Sequence, residues 1–272
     1  MSSPTFVFVP GHWHNLTHLQ PILAILHKRQ YRTKSVQLHT VGLKPQRPCF
    51  SDDVSVIYTA VAQELLVGND VCLVVHGYAG MPGAEAVNRL VIDGVVGGDG
   101  WGGGEGGGLR TGKLRRCVFI SAIIQPAGAV FDQRHLLGPE NTGFSIDETN
   151  MCHMSSPWHA FFSDLPLSLA KPFVDAVSAT YYVGPAHLTS ERWRTAPVTA
   201  VLCRKDSILS LRRQEAMWKK ECECEYIDAC HTPYVTRPEE MAKLLEKMVE
   251  VRWEESFLGF GGDGAGEGWV RG

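Results

Sequence analysis

The chain of 272 residues has a hydrophobic fraction of 44%, a charged fraction of 20% and a formal net charge of -3 at pH 7. These values suit one large domain of enzyme size, and they exclude the basic surface that nucleic-acid-binding proteins present. No apolar run approaches the roughly 20 residues of a membrane-spanning helix, and the opening segment MSSPTFVFVPG lacks the basic and long apolar regions of a signal peptide.

Short apolar runs alternate with helical patterns along most of the chain. In chain order, the predicted strands are Thr5–Val9, Lys34–Leu38, Asp70–His76, Cys117–Ser121, Val198–Cys203 and Glu223–Ile227. The predicted helices are Leu16–Lys28, Ser51–Leu66, Gly80–Val91, Leu211–Lys220 and Pro238–Val251. We expect Ser51, Asp52 and Asp53 to cap the second helix and to place negative charge in its first turn. Strands separated by helices predict an α/β fold, with a mostly parallel sheet and helices on both faces.

Three segments interrupt this alternation. The glycine-dominated run 94–108 predicts a flexible surface insertion, and the glycine-rich tail 259–272 predicts a disordered end. The long stretch 131–194 is rich in aromatic residues and predicts a mainly helical cap over the strand ends. A single α/β domain is therefore expected over residues 1–258, with the cap and the insertion as parts of it.

Two loops that follow predicted strands have the context for reaction chemistry. Residues 10–14 (PGHWH) leave the first strand at its carboxyl end, where backbone N–H groups can form an oxyanion hole. Residues 74–80 (VVHGYAG) pass from a strand through a tight turn into a helix, which is the context of a nucleophile elbow. Gly77 occupies the nucleophile position of this turn, and Ala79 provides the small residue that is needed two positions later.

An acid and a histidine follow two later strands. Asp206 comes shortly after the strand Val198–Cys203, and His231 comes shortly after Glu223–Ile227. Elbow, acid and histidine stand in the order of a catalytic triad built on such a sheet. A carboxylate in this place holds the imidazole in one tautomer and orientation, while the other ring nitrogen takes up a proton. We therefore predict that Asp206 and His231 form a catalytic pair.

Four segments together resemble the signature segments of fungal α/β-hydrolases, in the branch of small esterases and hydroxynitrile lyases. They are FVFVPGHWH, VVHGYAGMPG, LCRKDSILSLRRQEAM and CHTPYVTRPEEMAKLL, and the match runs from about Phe6 to Val251. The resemblance implies the α/β-hydrolase fold, with Asp206 as the triad acid and His231 as the triad histidine. It also implies that the backbone N–H groups of His12 and Tyr78 form the oxyanion hole.

The chain departs from this family at the nucleophile. Family members usually show His-Ser-Tyr-Gly-Gly where this chain shows His-Gly-Tyr-Ala-Gly, so Gly77 replaces the serine. Glycine has no side chain to attack a carbonyl, and the loss of one triad member lowers the rate by several orders of magnitude. Ser121, at the end of a neighbouring predicted strand, is an alternative nucleophile, although hydrogen bonding within its turn is the more ordinary role.

Four interpretations of the missing serine remain open. The protein is a hydrolase that has lost the acyl-enzyme route, or Asp206 and His231 act as an acid–base pair in lyase, cyclase or isomerase chemistry. Alternatively, the domain binds a small molecule without converting it, or the glycine is not the native residue. The sequence favours an enzyme of hydrolase ancestry for a small, apolar carbonyl- or ester-type metabolite, with secondary metabolism as one setting. His14, His76 and His153 are further candidates for the pocket lining.

No cofactor or metal is predicted. The sequence lacks a dinucleotide fingerprint, and Cys222 and Cys224, which share one face of a predicted strand, lack further ligands at a suitable spacing. The eight cysteines are expected to be reduced, and the protein is expected in the cytoplasm. The expected partner is a small-molecule substrate rather than nucleic acid or a membrane, and the oligomeric state is left undefined.

Overall fold

The computed structural model describes residues 3–96, 111–132, 134 and 143–250. The strands are β1 (Thr5–Val9), β2 (Thr33–Ser35), β3 (Val71–His76), β4 (Leu114–Ile120), β5 (Phe144–Ile146), β6 (Met151–Met154), β7 (Thr180–Tyr181), β8 (Val198–Cys203) and β9 (Glu223–Ile227). The helices are α1 (Gln20–Lys28), α2 (Phe50–Leu66), α3 (Gly80–Ile92), α4 (Pro157–Phe161), α5 (Leu167–Asp175), α6 (Leu211–Trp218), α7 (Pro233–Thr236) and α8 (Pro238–Glu250). Within these ranges, no helix combines the length and the apolar character needed to cross a lipid bilayer.

Six parallel strands form the main sheet, in the order β2–β1–β3–β4–β8–β9. β1 pairs with β3 from Thr5 opposite Val71 to Val9 opposite Val75, so the two strands end at the same level. Parallel neighbours require crossover connections over the faces of the sheet, and the helices supply them. The predicted α/β architecture is confirmed, and the last two strands have the bounds expected from the sequence.

Alternate residues of each central strand pack on opposite faces of the sheet. In β1, Val7 and Val9 pack with α2 and α3 on one face, whereas Phe6 and Phe8 pack with α1 and α8 on the other. All four side chains are buried. Because helices cover both faces, the central strands have continuous apolar sequences rather than an alternation of apolar and polar residues.

The chain leaves β1 and β3 toward opposite faces of the sheet. α1 follows β1 and packs on one face, while α3 follows β3 and packs on the other. The strand order reverses between β1 and β3, and the diverging connections open a crevice above their carboxyl ends. The loop that begins at Pro10 and the turn that begins at Gly77 therefore face each other across this crevice.

The segment between β4 and β8 contains the predicted cap, and its helices are accompanied by a small sheet that was not predicted. It has the helices α4 and α5, and in addition β5, β6 and β7 form a three-stranded antiparallel sheet. The expectation of a mainly helical cap missed this sheet because its strands have three, four and two residues. Strands of this length are too short for a period of two to be recognised in the sequence.

Other predicted boundaries also differ from the structure. β2 ends at Ser35, although the strand was predicted over Lys34–Leu38. Val36 and Leu38 are buried beyond the end of the strand, and the Val36 N–H still donates to the Phe8 carbonyl of β1 at 2.8 Å. The apolar pattern at Leu38 therefore reflects core packing beyond the paired residues. The predicted insertion at 94–108 lies mostly outside the described residues, and the predicted tail at 259–272 lies wholly outside them.

The first turn of α2 uses its acidic residues in two different ways. Asp52 accepts a hydrogen bond from the Cys49 N–H at 2.7 Å and caps the helix, as expected. Asp53 is not a terminal surface charge; its side chain points inward and is fully buried. It shares a helix face with Ile57, which is also fully buried.

A close approach at the first residue of α3 holds one side of the crevice. A Cβ atom at Gly80 would lie 2.4 Å from the carbonyl oxygen of Ile123, and the Ile123 N–H donates to the Gly77 carbonyl at 3.0 Å. We expect Gly80→Ala to lower the free energy of unfolding by about 2–3 kcal/mol, because backbone atoms must move to admit the methyl group. Equilibrium unfolding in urea measures this loss.

Gly128→Ala is the matched control for that substitution. Gly128 has a φ of +78°, and a Cβ atom there would have no neighbour within 4 Å. Gly128→Ala should therefore lower the free energy of unfolding by only about 1 kcal/mol, the cost of the left-handed backbone conformation. Equal losses in the two variants would show that the approach to Ile123 does not constrain the fold.

Candidate active site

His76 joins the loop after β1 to the loop after β9. A Cβ atom at Gly11 would lie 2.7 Å from the His76 carbonyl oxygen, so the first loop can cross the end of β3 only at a glycine. The Gly11 N–H donates to His76 Nδ1 at 3.3 Å, and His76 Nε2–H donates to the carbonyl oxygen of His231 at 3.0 Å. The donor and acceptor character of these backbone groups fixes the tautomer of His76.

The turn after β3 has the geometry of a nucleophile elbow with no side chain at its tip. Gly77 has a φ of +55°, and the 3₁₀ turn Gly77–Ala79 leads directly into α3. A Cβ atom at Gly77 would lie 3.4 Å from Nε2 of His231. A side chain at position 77 would therefore face the imidazole, and the glycine leaves this space open.

Asp206 and His231 lie side by side beyond the carboxyl ends of β8 and β9. Nδ1–H of His231 donates to Oδ2 of Asp206 at 2.8 Å, and the Asp206 side chain is fully buried. Oδ1 of Asp206 accepts the N–H groups of Ile208 and Leu209, both at 2.8 Å. The carboxylate is thus fixed and in turn fixes the imidazole, so Nε2 is the atom that can take up a proton on the side of Gly77.

Ser121 lies on the opposite side of the imidazole from Gly77. Its hydroxyl donates to Oδ2 of Asp206, and its Oγ lies 3.3 Å from Nδ1 of His231. The residue is fully buried and has a φ of +40°. This placement does not suit the alternative nucleophile considered from the sequence, because Nδ1 already donates to Asp206 and cannot remove the serine proton. Ser121 instead holds the carboxylate from a third direction.

A pocket of about 510 Å³, counted with its open mouth, lies above the crevice between β1 and β3. Its described lining is mainly apolar and consists of Gly11, His12, Trp13, Gly77, Tyr78, Ile123, Phe131, Ile208, Leu209 and His231. This part of the lining contains no serine, threonine, cysteine, lysine or carboxylate. An apolar pocket with one carboxylate-linked imidazole suits a small apolar molecule that carries a single polar group.

The two residues predicted to form an oxyanion hole contact each other in the pocket wall. The rings of His12 and Tyr78 are stacked, with centroids 3.6 Å apart and an interplanar angle of 22°. Tyr78 follows Gly77 at the start of the turn into α3, where backbone N–H groups lack partners within the helix. Burial lowers the pKa of His12 to about 3, so its ring is neutral at physiological pH.

A buried carboxylate behind this wall escaped the sequence analysis. Asp53 accepts the Tyr78 hydroxyl at 3.1 Å, the Thr40 hydroxyl at 2.7 Å and the Thr40 N–H at 3.1 Å. Thr40 Oγ1 also lies 3.2 Å from Nε2 of His12. Burial raises the pKa of Asp53 to about 6, although its hydrogen bonds act in the opposite direction. The available signal was its spacing from Ile57 on the buried face of α2, where a carboxylate is rare.

His14 and His76 are buried beside His231, whereas His153 is not. The ring centroids of His76 and His231 are 4.6 Å apart, and those of His14 and His76 are 5.1 Å apart. Both nitrogens of His14 and of His76 are hydrogen-bonded. Burial, the largest cause, lowers the pKa of each of these two rings well below its ordinary value. His153 lies on the cap with about half of its side chain exposed, at 49%.

Trp13 connects the pocket wall to the cap. Its indole N–H donates to the Cys152 carbonyl oxygen at 3.1 Å, and its own carbonyl accepts the Ser178 N–H at 2.9 Å. Phe144 and Phe161 of the cap pack against the indole, with ring centroids 6.0 and 5.9 Å away. The backbone of Trp13 has a φ of +64°, which is unusual for a bulky side chain. The cap is thus tied to the loop after β1.

All eight cysteines are free thiols. Cys222 and Cys224 are partly buried near the edge of the sheet, and burial raises the pKa of the Cys222 thiol to about 12. Among the residues that the structure describes, no group of three or more histidine, cysteine, aspartate or glutamate side chains could hold a metal ion.

The sequence and the structure are similar to known hydrolases. A profile of the Alpha/beta hydrolase family matches residues 6–244. The Alpha/beta hydrolase nvfD of Aspergillus novofumigatus is 30% identical over 128 residues, which cover 47% of this chain and only about half, 46%, of that relative. The Probable hydrolase R7 of a Phoma species is 24% identical over 264 residues, which cover 92% of this chain and 99% of the relative.

Solved structures give the same fold. A pyrethroid hydrolase from Sphingobium faniae JZ-2 superposes with a TM-score of 0.71 and 15% identity, over 93% of this chain and 100% of the other. An identity this low shows the shared fold alone. The α/β-hydrolase fold expected from the four sequence segments is confirmed.

We expect Gly77→Ser to create a serine nucleophile. The Cβ position lies 3.4 Å from Nε2 of His231, so an attached hydroxyl can reach hydrogen-bonding distance. The left-handed backbone at this position will cost about 1 kcal/mol of stability. After incubation with an aryl fluorophosphonate, intact-protein mass spectrometry should show one adduct on the variant and none on the native protein.

The double variant Gly77→Ser with His231→Ala should lose this adduct, and Gly77→Ala controls for the added Cβ atom. An adduct that maps to Ser121 in the native protein would contradict the placement of that hydroxyl. Absence of labelling on Gly77→Ser would contradict the elbow geometry.

Acid should destabilise the fold between pH 6.5 and 5.5. Burial lowers the pKa values of His12, His14 and His76 in the folded protein, so below about pH 6.5 the unfolded chain binds more protons. Each ring then removes up to about 1.4 kcal/mol per pH unit from the free energy of unfolding. Asp53, whose pKa is raised, acts in the opposite direction over the same range and offsets one of the three rings.

A net loss of about 2 kcal/mol is therefore expected on lowering the pH from 6.5 to 5.5. Urea unfolding at pH 7.5, 6.5 and 5.5 measures it. A free energy of unfolding that stays constant or rises on acidification would show that the three rings are not held neutral.

Proposed function

The chain belongs to the alpha/beta hydrolase family, and from that membership we propose an enzyme that acts on a small, largely apolar ester, lactone or related carbonyl compound. His231, assisted by Asp206, is the acid–base group of the reaction, and no serine acyl-enzyme forms. One observation carries the proposal: Nε2 of His231 faces the space that a side chain at Gly77 would occupy, in the wall of an apolar pocket. A water molecule or a group of the substrate takes this space beside a proton-accepting nitrogen.

In a hydrolytic reaction, His231 activates water. Nε2 removes a proton from a water molecule above Gly77 while the water oxygen attacks the carbonyl carbon. The backbone N–H groups of His12 and Tyr78 donate hydrogen bonds to the oxyanion that forms. When the bond from carbon to the leaving oxygen breaks, Nε2–H returns the proton to the departing alkoxide. An ester then gives an acid and an alcohol, and Asp206 remains ionised throughout and stabilises the imidazolium.

Other side chains near the pocket support a route without a covalent intermediate. The described lining offers no hydroxyl, thiol or amine nucleophile other than the phenol of Tyr78, which donates to Asp53. The Ser121 hydroxyl donates to Asp206 on the far side of the ring. Burial raises the pKa of Cys230, the neighbour of His231, to about 12, so its thiol stays protonated and is a poor nucleophile.

The apolar lining favours a non-hydrolytic reaction as the second candidate. Nε2 of His231 can take a proton directly from a substrate hydroxyl or from a C–H bond next to a carbonyl group. Few groups in the described wall can hold a water molecule, and a water needs two or more polar partners. Proton transfer of this kind is the basis of lyase, cyclase and isomerase reactions.

A protein that only binds a small molecule is the remaining alternative. The buried hydrogen bond between Asp206 and His231 argues for catalysis, because a binding pocket alone has no need of an oriented base. We further propose that the substrate is a metabolite, including those of secondary metabolism, that the protein acts in the cytoplasm, and that it has no nucleic-acid or membrane partner. The eight free cysteines support the reducing location.

Turnover by the native protein should depend on His231. With a panel of aryl esters and lactones, we expect the native protein to turn over slowly and without a pre-steady-state burst. Stopped-flow absorbance measures both the burst and the steady-state rate. His231→Ala should lower kcat by about 10²–10⁴-fold, because it removes the acid–base group. Asp206→Asn should also lower kcat, because the amide no longer holds the reactive tautomer. His153→Ala, at an exposed histidine of the cap, is the matched control and should leave turnover unchanged.

Gly77→Ser distinguishes the three candidate functions, which are hydrolysis, a non-hydrolytic reaction and binding alone, in the same assay. A burst in Gly77→Ser together with an inert native protein would exclude native hydrolysis of these compounds and favour the non-hydrolytic reaction or binding. Unchanged turnover in His231→Ala would show that His231 is not the base. Absence of turnover in both proteins would argue against hydrolysis of these compounds and would favour the binding function most.

A further inference from the structure

Asp53 lies behind the pocket wall and contacts none of the residues of the acid–base pair. We propose that Asp53 is a positioning residue that sets the geometry of His12 and Tyr78, the two residues whose N–H groups bind the oxyanion. This role rests on the proposed function, whereas the hydrogen-bond network that carries it does not. Asp53 comes from α2, which supplies no residue to the described pocket lining.

The first branch of the network fixes Tyr78. Its hydroxyl donates to Asp53 at 3.1 Å, and its ring lies between His12, 3.6 Å away by centroids, and Phe131, 5.9 Å away. Its backbone belongs to the turn that follows Gly77. Because the side chain is held at its far end, a tilt of the ring would have to move either Asp53 or this turn.

The second branch fixes His12. Thr40 donates to Asp53 through both its N–H and its hydroxyl, at 3.1 and 2.7 Å. Since the Thr40 hydroxyl hydrogen is directed at Asp53, its oxygen accepts from Nε2–H of His12 at 3.2 Å. The Thr40 carbonyl also accepts the Thr180 hydroxyl at 2.9 Å, which anchors Thr40 to the cap. Asp53 therefore holds the two stacked rings from two sides.

Only a carboxylate satisfies the three donors that converge on position 53. An ionised carboxylate accepts at both oxygens, whereas an amide would turn an NH₂ group toward one donor and reverse the direction of a hydrogen bond. The first turn of α2 also favours negative charge. Burial raises the pKa of Asp53, so keeping this side chain ionised at neutral pH carries a free-energy cost that its hydrogen bonds partly offset.

The titratable residues around Asp53 come from three elements. His39, in the loop after β2, contacts Asp53 through its backbone and has an exposed side chain. Tyr78 faces it from the turn after β3, and burial raises the pKa of this phenol well above its ordinary value. His12 faces it through Thr40 from the loop after β1, and its lowered pKa keeps the ring neutral. Between pH 5 and 8, Asp53 is thus the group of this network that changes its charge.

Backbone amide resonances of His12 and Tyr78 test the proposal without any substrate. In the full ¹⁵N-labelled chain, both amides should shift together between pH 5 and 8, with a midpoint near the Asp53 pKa of about 6. Asp53→Asn should abolish both shifts. Asp52→Asn, at the neighbouring position on the outer side of α2, is the matched control and should leave both titrations unchanged.

Two further variants separate the branches. Tyr78→Phe should abolish the titration of the Tyr78 amide and leave that of His12, while Thr40→Val should do the reverse. Amide chemical shifts of His12 and Tyr78 that do not change with pH in the native protein would overturn the proposal. Shifts that still titrate in Asp53→Asn would overturn it as well.

The kinetic constants kcat and KM distinguish a positioning role from a purely structural role of Asp53. With the aryl ester or lactone of the panel that the native protein hydrolyses fastest, Asp53→Asn should lower kcat by about tenfold or more with KM within about twofold, because the oxyanion forms only in the transition state. A loss confined to KM would overturn the positioning role. Failure of the proposed function would remove turnover and leave the amide titrations in place, so the two failures can be told apart.

Discussion

The parallel pairing of β1 with β3 brings two turns of the chain into contact at the end of the sheet. The strands end at the same level and their connections run to opposite faces, so the loop at Gly11 crosses directly against the carbonyl of His76. His76 then extends this contact to His231 by donating to its carbonyl oxygen. Residues from three distant parts of the sequence are thereby held around one crevice.

Burial determines where charge can develop in this crevice. His12, His14 and His76 are neutral because their burial disfavours the charged form. His231 differs from them in its contacts, because a fixed carboxylate, Asp206, accepts from its Nδ1–H. In the proposed reaction, this carboxylate would stabilise the imidazolium that forms on His231.

The scaffold and the placement of Asp206 beside His231 follow from local patterns, whereas their surroundings do not. This placement was predictable because each of the two residues follows a strand whose end is set by the sheet, while their catalytic roles stay a prediction. Ser121 was correctly expected near His231, but the side of the ring that it occupies depends on how β4 meets β8, which no local pattern encodes. Asp53 was missed because an acidic residue in a first helical turn is ordinarily a terminal charge. Its spacing from Ile57 hinted at the inward orientation, and its contacts with Tyr78 and Thr40 establish that orientation.

The bonds between Trp13 and the cap have a kinetic consequence. Any lifting of the cap must break the hydrogen bond to Cys152 or pull on a residue whose backbone is already in the left-handed region. Either change displaces His12, the residue immediately before Trp13 in the chain. A raised cap is thus accompanied by a distorted pocket wall. In the proposed enzyme, the rate of such an opening would set an upper limit on turnover wherever the substrate enters beneath the cap.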